Sequence, residues 1–339
     1  MAFIYYLTVF KFKLGFILIV ESGDLENKAL LCALSIKRIY NKECRVVIIK
    51  PRSGQPISKN ILDQFNKIGV EFFDADLNID WKDHPMMNKP YATCYGEKIL
   101  ESECEYIIYL DADSILLKPI DFSIFSNMQK IGIRPVDVRN IGNLYGEDLI
   151  EIWNYVFKVM NIDKSNLWNI KTTITNEKIY PYFNSGFIVE KQGTKLFYLW
   201  AEKSSSLSKD ENFRNILKGN KLADWALDQI ILASVLMASY GKDRIKILPY
   251  NYNFPFNFYF FGRLFTKNKI FRVKIDDIIH LHYHHRFYSQ FSIICFTKTK
   301  YYRFLKNYIP LPINYIGKIK NSSTYLFIHI LIELYFPKT

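Results

Sequence analysis

Over the first 120 residues, apolar positions gather into short unbroken runs separated by amphipathic stretches. "FILIV" (16–20), "RVVII" (45–49), "VEFF" (70–73) and "YIIYL" (106–110) read as strands. Between the first two, Ser22 or Asp24 opens a helix reaching about Tyr40, with Leu25, Leu31, Leu34, Ile36 and Ile39 as its apolar positions. A turn at 51–54 closes the second strand. Ser58 then caps a helix carrying Ile61, Leu62, Phe65 and Ile68 on one face, and a third helix runs from about Tyr91 to Glu101. Strands this continuously apolar suit a parallel sheet covered on both faces.

The pattern predicts the nucleotide-binding half of a doubly wound α/β fold, in which ligands sit beyond the carboxyl ends of the strands. Past residue 130 it becomes less regular. "KIGIRPV", "PYFNSGFIVEK", "RIKILPYNYNF" and "DDIIHLH" read as strands, with helices near 145–160, near 194–206 and from Asp224 to about Ser239. With no repeat or low-complexity linker, the chain reads as one catalytic domain over 1–290, with a nucleotide-binding half at 14–120 and an acceptor and sugar half at 121–290. An aromatic, basic, helical extension occupies 291–339.

Composition narrows the partner. A net charge of +12 suggests an anionic one: nucleic acid, a membrane surface or a phosphorylated substrate. The basic residues form no stripe and no nucleic-acid motif is present, which argues against nucleic acid. Five cysteines, odd in number and without C-x-x-C spacing, argue against a disulfide framework or structural zinc and for a reducing, cytoplasmic setting. No stretch reads as a convincing transmembrane helix or signal peptide. The apolar segment within 318–336 either docks on the body of the protein or lies peripherally on a membrane surface. Oligomeric state is open, and a dimer is compatible.

The chemistry concentrates in "YIIYLDADSILLKP". Asp111 and Asp113 leave the fourth strand one residue apart, flanked by core-like side chains, where buried acids need a positive partner. Short acids at a strand end suit a hard divalent cation with room for phosphate oxygens. In "IIHLHYHHRF", His280 and His282 share a face if the segment is extended, and imidazole added to two carboxylates favours manganese over calcium.

"YIIYLDADSILL", "YFNSGFIV", "LDQIIL", "LPYNYNF" and "IIHLHYH", in this order, resemble the motifs of the family 8 glycosyltransferases. The resemblance covers roughly residues 15–290. It implies a GT-A fold, with a mostly parallel Rossmann-like central sheet and helices on both faces. It also implies a retaining hexosyl transfer from a UDP-sugar with Mn2+ (Mg2+ as the alternative) to a glycan, lipid-linked saccharide or polyol acceptor. By the same resemblance Asp111 and Asp113 hold the metal, with His280 as third ligand and His282 as the competing register. Asn184, Ser185 and Gly186 line the sugar pocket, Asp228 and Gln229 stand beside the anomeric carbon, and Lys89 in "NKPYA" contacts the donor. The family's late Gly and Lys-Pro-Trp run is absent here, which leaves Arg286 or His285 for the diphosphate.

Two other readings compete. A haloacid-dehalogenase-like phosphatase also uses a strand-end Asp-x-Asp, with magnesium, although there the motif opens the domain. A non-catalytic, basic protein that binds membrane surfaces would account for the charge alone.

Overall fold

The computed structural model describes residues 12–255, 273 and 275–283. Arg286, His285, the segment 318–336 and the whole 291–339 extension therefore lie outside the described residues. Four parallel strands build the first half of the sheet: β1 (Phe12–Ile19), β2 (Cys44–Lys50), β3 (Glu71–Asp74) and β4 (Cys104–Leu110). The short β5 (Ser114–Leu116) follows, then β6 (Ile131–Pro135), a small hairpin of β7 (Ile170–Lys171) and β8 (Lys178–Ile179), and β9 (Phe183–Lys191). The series ends with β10 (Ile245–Ile247), β11 (Phe254–Pro255) and β12 (His280–His282).

The main sheet has seven strands in the order β10-β6-β9-β4-β1-β2-β3. All of its pairings are parallel except the two made by β9, which runs antiparallel to β4 and to β6. A second sheet of β11, β12 and β5 lies at the carboxyl end of β4. This is the α/β architecture, with a mostly parallel central sheet, that the hydrophobic runs predict.

Why the strands are apolar throughout is visible in the two faces. Phe16, Leu18, Val46, Ile48, Ile108 and Leu110 pack with α1 (Asp24–Tyr40) and α2 (Lys59–Lys67). The alternate residues Ile17, Ile19, Val47, Ile49, Ile107 and Tyr109 join the core on the other face. That face is covered by α3 (Asn88–Leu100), α4 (Glu151–Val159), α5 (Leu196–Ser208) and α6 (Glu211–Gly219), with α7 (Lys221–Trp225) and α8 (Leu227–Ser239) completing the layer. With both faces buried, period-two alternation disappears and only its parity survives.

Local differences from the sequence expectation have physical causes. Helix α3 begins at Asn88 rather than near Tyr91, because Pro90 is tolerated in a first turn, and this places Lys89 in that turn. Ser58 precedes α2, but its hydroxyl donates to Glu26 Oε2 at 2.6 Å instead of capping the helix. The single helix expected from Asp224 is two, broken at Ala226. Helix α6 is an addition: Asp210 accepts from the Phe213 N–H as its N-cap, and Phe213 and Leu217 are buried four residues apart. "DDIIHLH" forms a 3-10 turn followed by only three strand residues.

Candidate active site

Strand β1 has β2 on one side and β4 on the other, so the connection order switches between β1 and β4. Asp111 and Asp113 emerge from β4 at the carboxyl side of that switch. The Asp111 N–H donates to Gly186 O at 3.0 Å, tying the acidic loop to β9, and the Tyr109 hydroxyl donates to Asp111 Oδ1. Burial first, and then the Asp111 charge, hold the Tyr109 phenol well above its ordinary pKa, so it stays a donor.

Asp111 and Asp113 are half-buried rather than buried, and the positive partner of Asp111 is Lys89. Its Nζ donates to Asp111 Oδ2 at 3.0 Å and to Ser185 Oγ at 3.1 Å, and lies 3.3 Å from Asp228 Oδ2. Burial pulls the ammonium toward neutrality, but the charges of Asp111 and Asp228 overcome it and the pKa is raised. Asp228 is fully buried in the first turn of α8 and accepts from Ser185 Oγ at 2.6 Å. Its Oδ1 has no hydrogen-bond partner among the described residues. Gln229, next to it, is buried as well.

The third element is β12. It pairs antiparallel with β5, placing His282 opposite Ser114 and His280 opposite Leu116. His282 Nε2 lies 3.2 Å from Asp113 Oδ1 and 3.7 Å from Asp111 Oδ2. Asp111, Asp113 and His282 each offer a ligand atom, all within 4.8 Å of one another. His280, the register expected first, is not part of this group. Its ring packs on Phe187 at 4.7 Å between centroids, and neither ring nitrogen has a hydrogen-bond partner among the described residues. Burial, then His282 and Arg134, hold its pKa well below the ordinary value, so it is a neutral core histidine.

The donor set fits a divalent cation: two carboxylates and one imidazole converge. A cradle for it is kept open by Gly186, where a Cβ would stand 2.7 Å from His282 Cε1 and 3.0 Å from Asp111 Oδ2. Asn184, at the start of β9, faces the same space and accepts from the Gly186 N–H at 2.8 Å. The structure thus brings Asp111, Asp113, Lys89, Asn184, Ser185, Gly186, Asp228 and His282 together. Sequence reasoning missed Tyr109 and Asn253, whose side chains bond to this group, and the His84 Nε2 contact with Asp224 Oδ1 at 2.7 Å. "LPYNYNF" had signalled Asn253 as a segment, not as a residue.

Residues 16–241 match the family model of the Rhodobacterales glycosyltransferase domain. The chain belongs to this family, in agreement with the class its motifs resemble. Among solved structures it is similar to the apo form of the bifunctional glycosyltransferase WbbM, at 14% identity and a TM-score of 0.49, over 88% of this chain and 52% of that one. It is also similar to the glycosyltransferase GlyE of Streptococcus pneumoniae TIGR4, at 15% identity and a TM-score of 0.48, over 88% and 60% of the two chains. Likeness to the galactosyltransferase LgtC, in complex with donor and acceptor sugar analogues, reaches 12% identity and a TM-score of 0.44 over 90% and 99%. The chain spans 52% and 60% of the length of the first two proteins. No curated protein matches it.

Proposed function

We propose that the protein transfers a hexose from a UDP-sugar, with retention at the anomeric carbon, to a glycan, lipid-linked saccharide or polyol acceptor. The observation that carries the reading is the convergence of Asp111, Asp113 and His282 beside the Lys89–Asp228 pair, in a chain of a glycosyltransferase family. The motif resemblance supports the UDP donor and the retaining outcome.

Asp111, Asp113 and His282 would hold Mn2+, with Mg2+ as the alternative. When bound, the ion neutralises charge developing on the departing diphosphate. The chain's own residues do the rest. Lys89 fixes Asp111 and Asp228 in place, and the Ser185 hydroxyl holds one oxygen of Asp228. That leaves the buried Asp228 Oδ1 free to face the positive charge of an oxocarbenium-like centre, with Gln229 beside it. Asn184, Ser185 and Gly186 line the sugar pocket, Gly186 through its bare backbone. Arg286 serves the diphosphate in this reading and lies outside the described residues. The chain's excess of 12 positive charges draws an anionic donor toward it. The setting that fits is cytoplasmic, with 318–336 against a membrane that carries the acceptor.

A phosphatase of the dehalogenase type is disfavoured by position, since the Asp-x-Asp strand is the fourth of the chain rather than its first. The test is hydrolysis and binding of a UDP-sugar panel with Mn2+, using wild-type and Asp113→Ala protein. The expected result is metal-dependent turnover of at least one donor by the wild type alone. No metal-dependent turnover or binding with any donor overturns the reading.

A further inference from the structure

A backbone amide anchors a run of hydrogen bonds that ends on the imidazole of His282. The Gly186 N–H donates to Asn184 Oδ1 at 2.8 Å. A main-chain N–H only donates, so this contact fixes which end of the Asn184 amide is oxygen. Asn253 reaches the same oxygen at 2.8 Å and must offer its NH2 group there. Its own Oδ1 is then turned to His282 Nδ1, 2.9 Å away. An accepting oxygen at that distance calls for the proton on Nδ1. A neutral ring protonated on Nδ1 carries its lone pair on Nε2, the nitrogen that faces Asp113 and Asp111.

We propose that Asn253 is a positioning residue: it fixes the tautomer and ring orientation of His282 for a divalent cation and couples that ligand to Asn184 in the sugar pocket. The inference rests on the metal-dependent reading above and adds to it the residue that prepares the third ligand.

Burial and backbone agree with the role. Asn253 is 0% exposed, so its amide cannot exchange these partners for water. Its backbone sits at φ 49°, in the left-handed region that asparagine enters more readily than most residues with a side chain. Asn184 Oδ1 receives two donors, Gly186 N–H and Asn253 Nδ2–H, so a displaced sugar-side asparagine would release the histidine, and the reverse. The other ring nitrogen, Nε2, lies 3.2 Å from Asp113 Oδ1, so the side of the ring turned away from Asn253 is the one that faces the carboxylates.

The test uses full-length protein labelled with 15N-histidine, at pH 9. The His282 signal among six histidines is assigned by its loss in His282→Gln. Ring nitrogen shifts are expected to report Nδ1–H in the wild type. Asn253→Gly removes the amide while permitting the left-handed backbone. It is expected to lose that tautomer and to weaken Mn2+ binding, read from the EPR signal of the free ion, by about 10–100-fold. Asn253→Asp, whose carboxylate accepts the same proton, is expected to restore the Nδ1–H signal and most of the Mn2+ affinity, a rescue that mere filling of space would not give. An Nε2–H ring in the wild type, or Mn2+ affinity unchanged in Asn253→Gly, overturns the inference and leaves the glycosyltransferase reading standing. Wild-type protein that binds no Mn2+ overturns the metal-dependent reading itself, and the inference with it.

Discussion

Helix α3 carries a buried ionisable side chain toward each end, Lys89 against Ser185 of β9 and Glu97 near Glu190 of β9, and the two ends handle charge in opposite ways. At one end the Lys89 ammonium lies 3.0 Å from Asp111 and 3.3 Å from Asp228 and holds the two together. At the other, roughly 12 Å along the helix by its rise, Glu97 meets Glu190. Both carboxyls are at most 3% exposed and face the N-terminus of α5: Glu190 accepts from the Leu196 and Phe197 N–H groups, and Glu97 from that of Tyr198. Burial, and then the Glu97 charge, raise Glu190 well above the carboxylate range, and burial raises Glu97 too. The pair shares a proton instead of recruiting a cation. The acids of one cluster sit against a lysine, whereas those of the other, which anchor a helix, are held by burial above the carboxylate range. That contrast separates the two clusters.

The contrast breaks most sharply at Lys89. Lys89→Met strands Asp111 and Asp228 without their cation, and is expected to cost about 3–5 kcal/mol in unfolding free energy. Denaturant titration without metal measures this, and a loss below about 1 kcal/mol contradicts the pairing of Lys89 with both acids. Asp113→Ala keeps the lysine pair but removes a ligand. Metal-dependent donor turnover is expected to fall at least about 100-fold, or about 2.7 kcal/mol, with unfolding little changed. Gly186→Ala puts a methyl group against His282 and Asp111. Overpacking of this kind is expected to cost about 1–3 kcal/mol, together with weaker Mn2+ binding by calorimetry.

The smallest effect belongs to the carboxyl pair, and its sign follows from linkage. Glu190 titrates higher folded than unfolded, so the native state binds more protons above the ordinary carboxylate range, and stability falls as pH rises through that range toward the folded value. Glu97→Gln replaces the shared proton with an amide N–H. It is expected to flatten the decline above the ordinary carboxylate range by about 1 kcal/mol, followed by thermal melting. An unchanged slope would mean the pair contributes no proton linkage.

Much of this could be read in the sequence because it is local. The four parallel strands of the first half and the position of Asp111 and Asp113 follow from contiguous apolar runs and their ends. Tyr109 is two residues from Asp111, yet a buried tyrosine in a strand gives no sign of its bond until the loop conformation is known. The histidine was harder still. His280 and His282 are two residues apart and share a strand face, so periodicity cannot choose between them. The choice is made by pairing with β5, where His282 falls opposite Ser114, beside Asp113. Lys89 required its distant partners, and His84 with Asp224 spans 140 residues, beyond any spacing rule. Helix α6 was legible in principle from Asp210, Phe213 and Leu217, a short amphipathic pattern in a polar stretch.

The three residues of β12 have a consequence for how the protein comes into being. His282 meets a carboxylate made 169 residues earlier, on a strand that among the described residues pairs with β5 and β11. A ribosome that has released the whole seven-stranded sheet has still not delivered this ligand. The Asp111, Asp113 and His282 group therefore cannot assemble until translation has passed residue 282, well after the main sheet has been made.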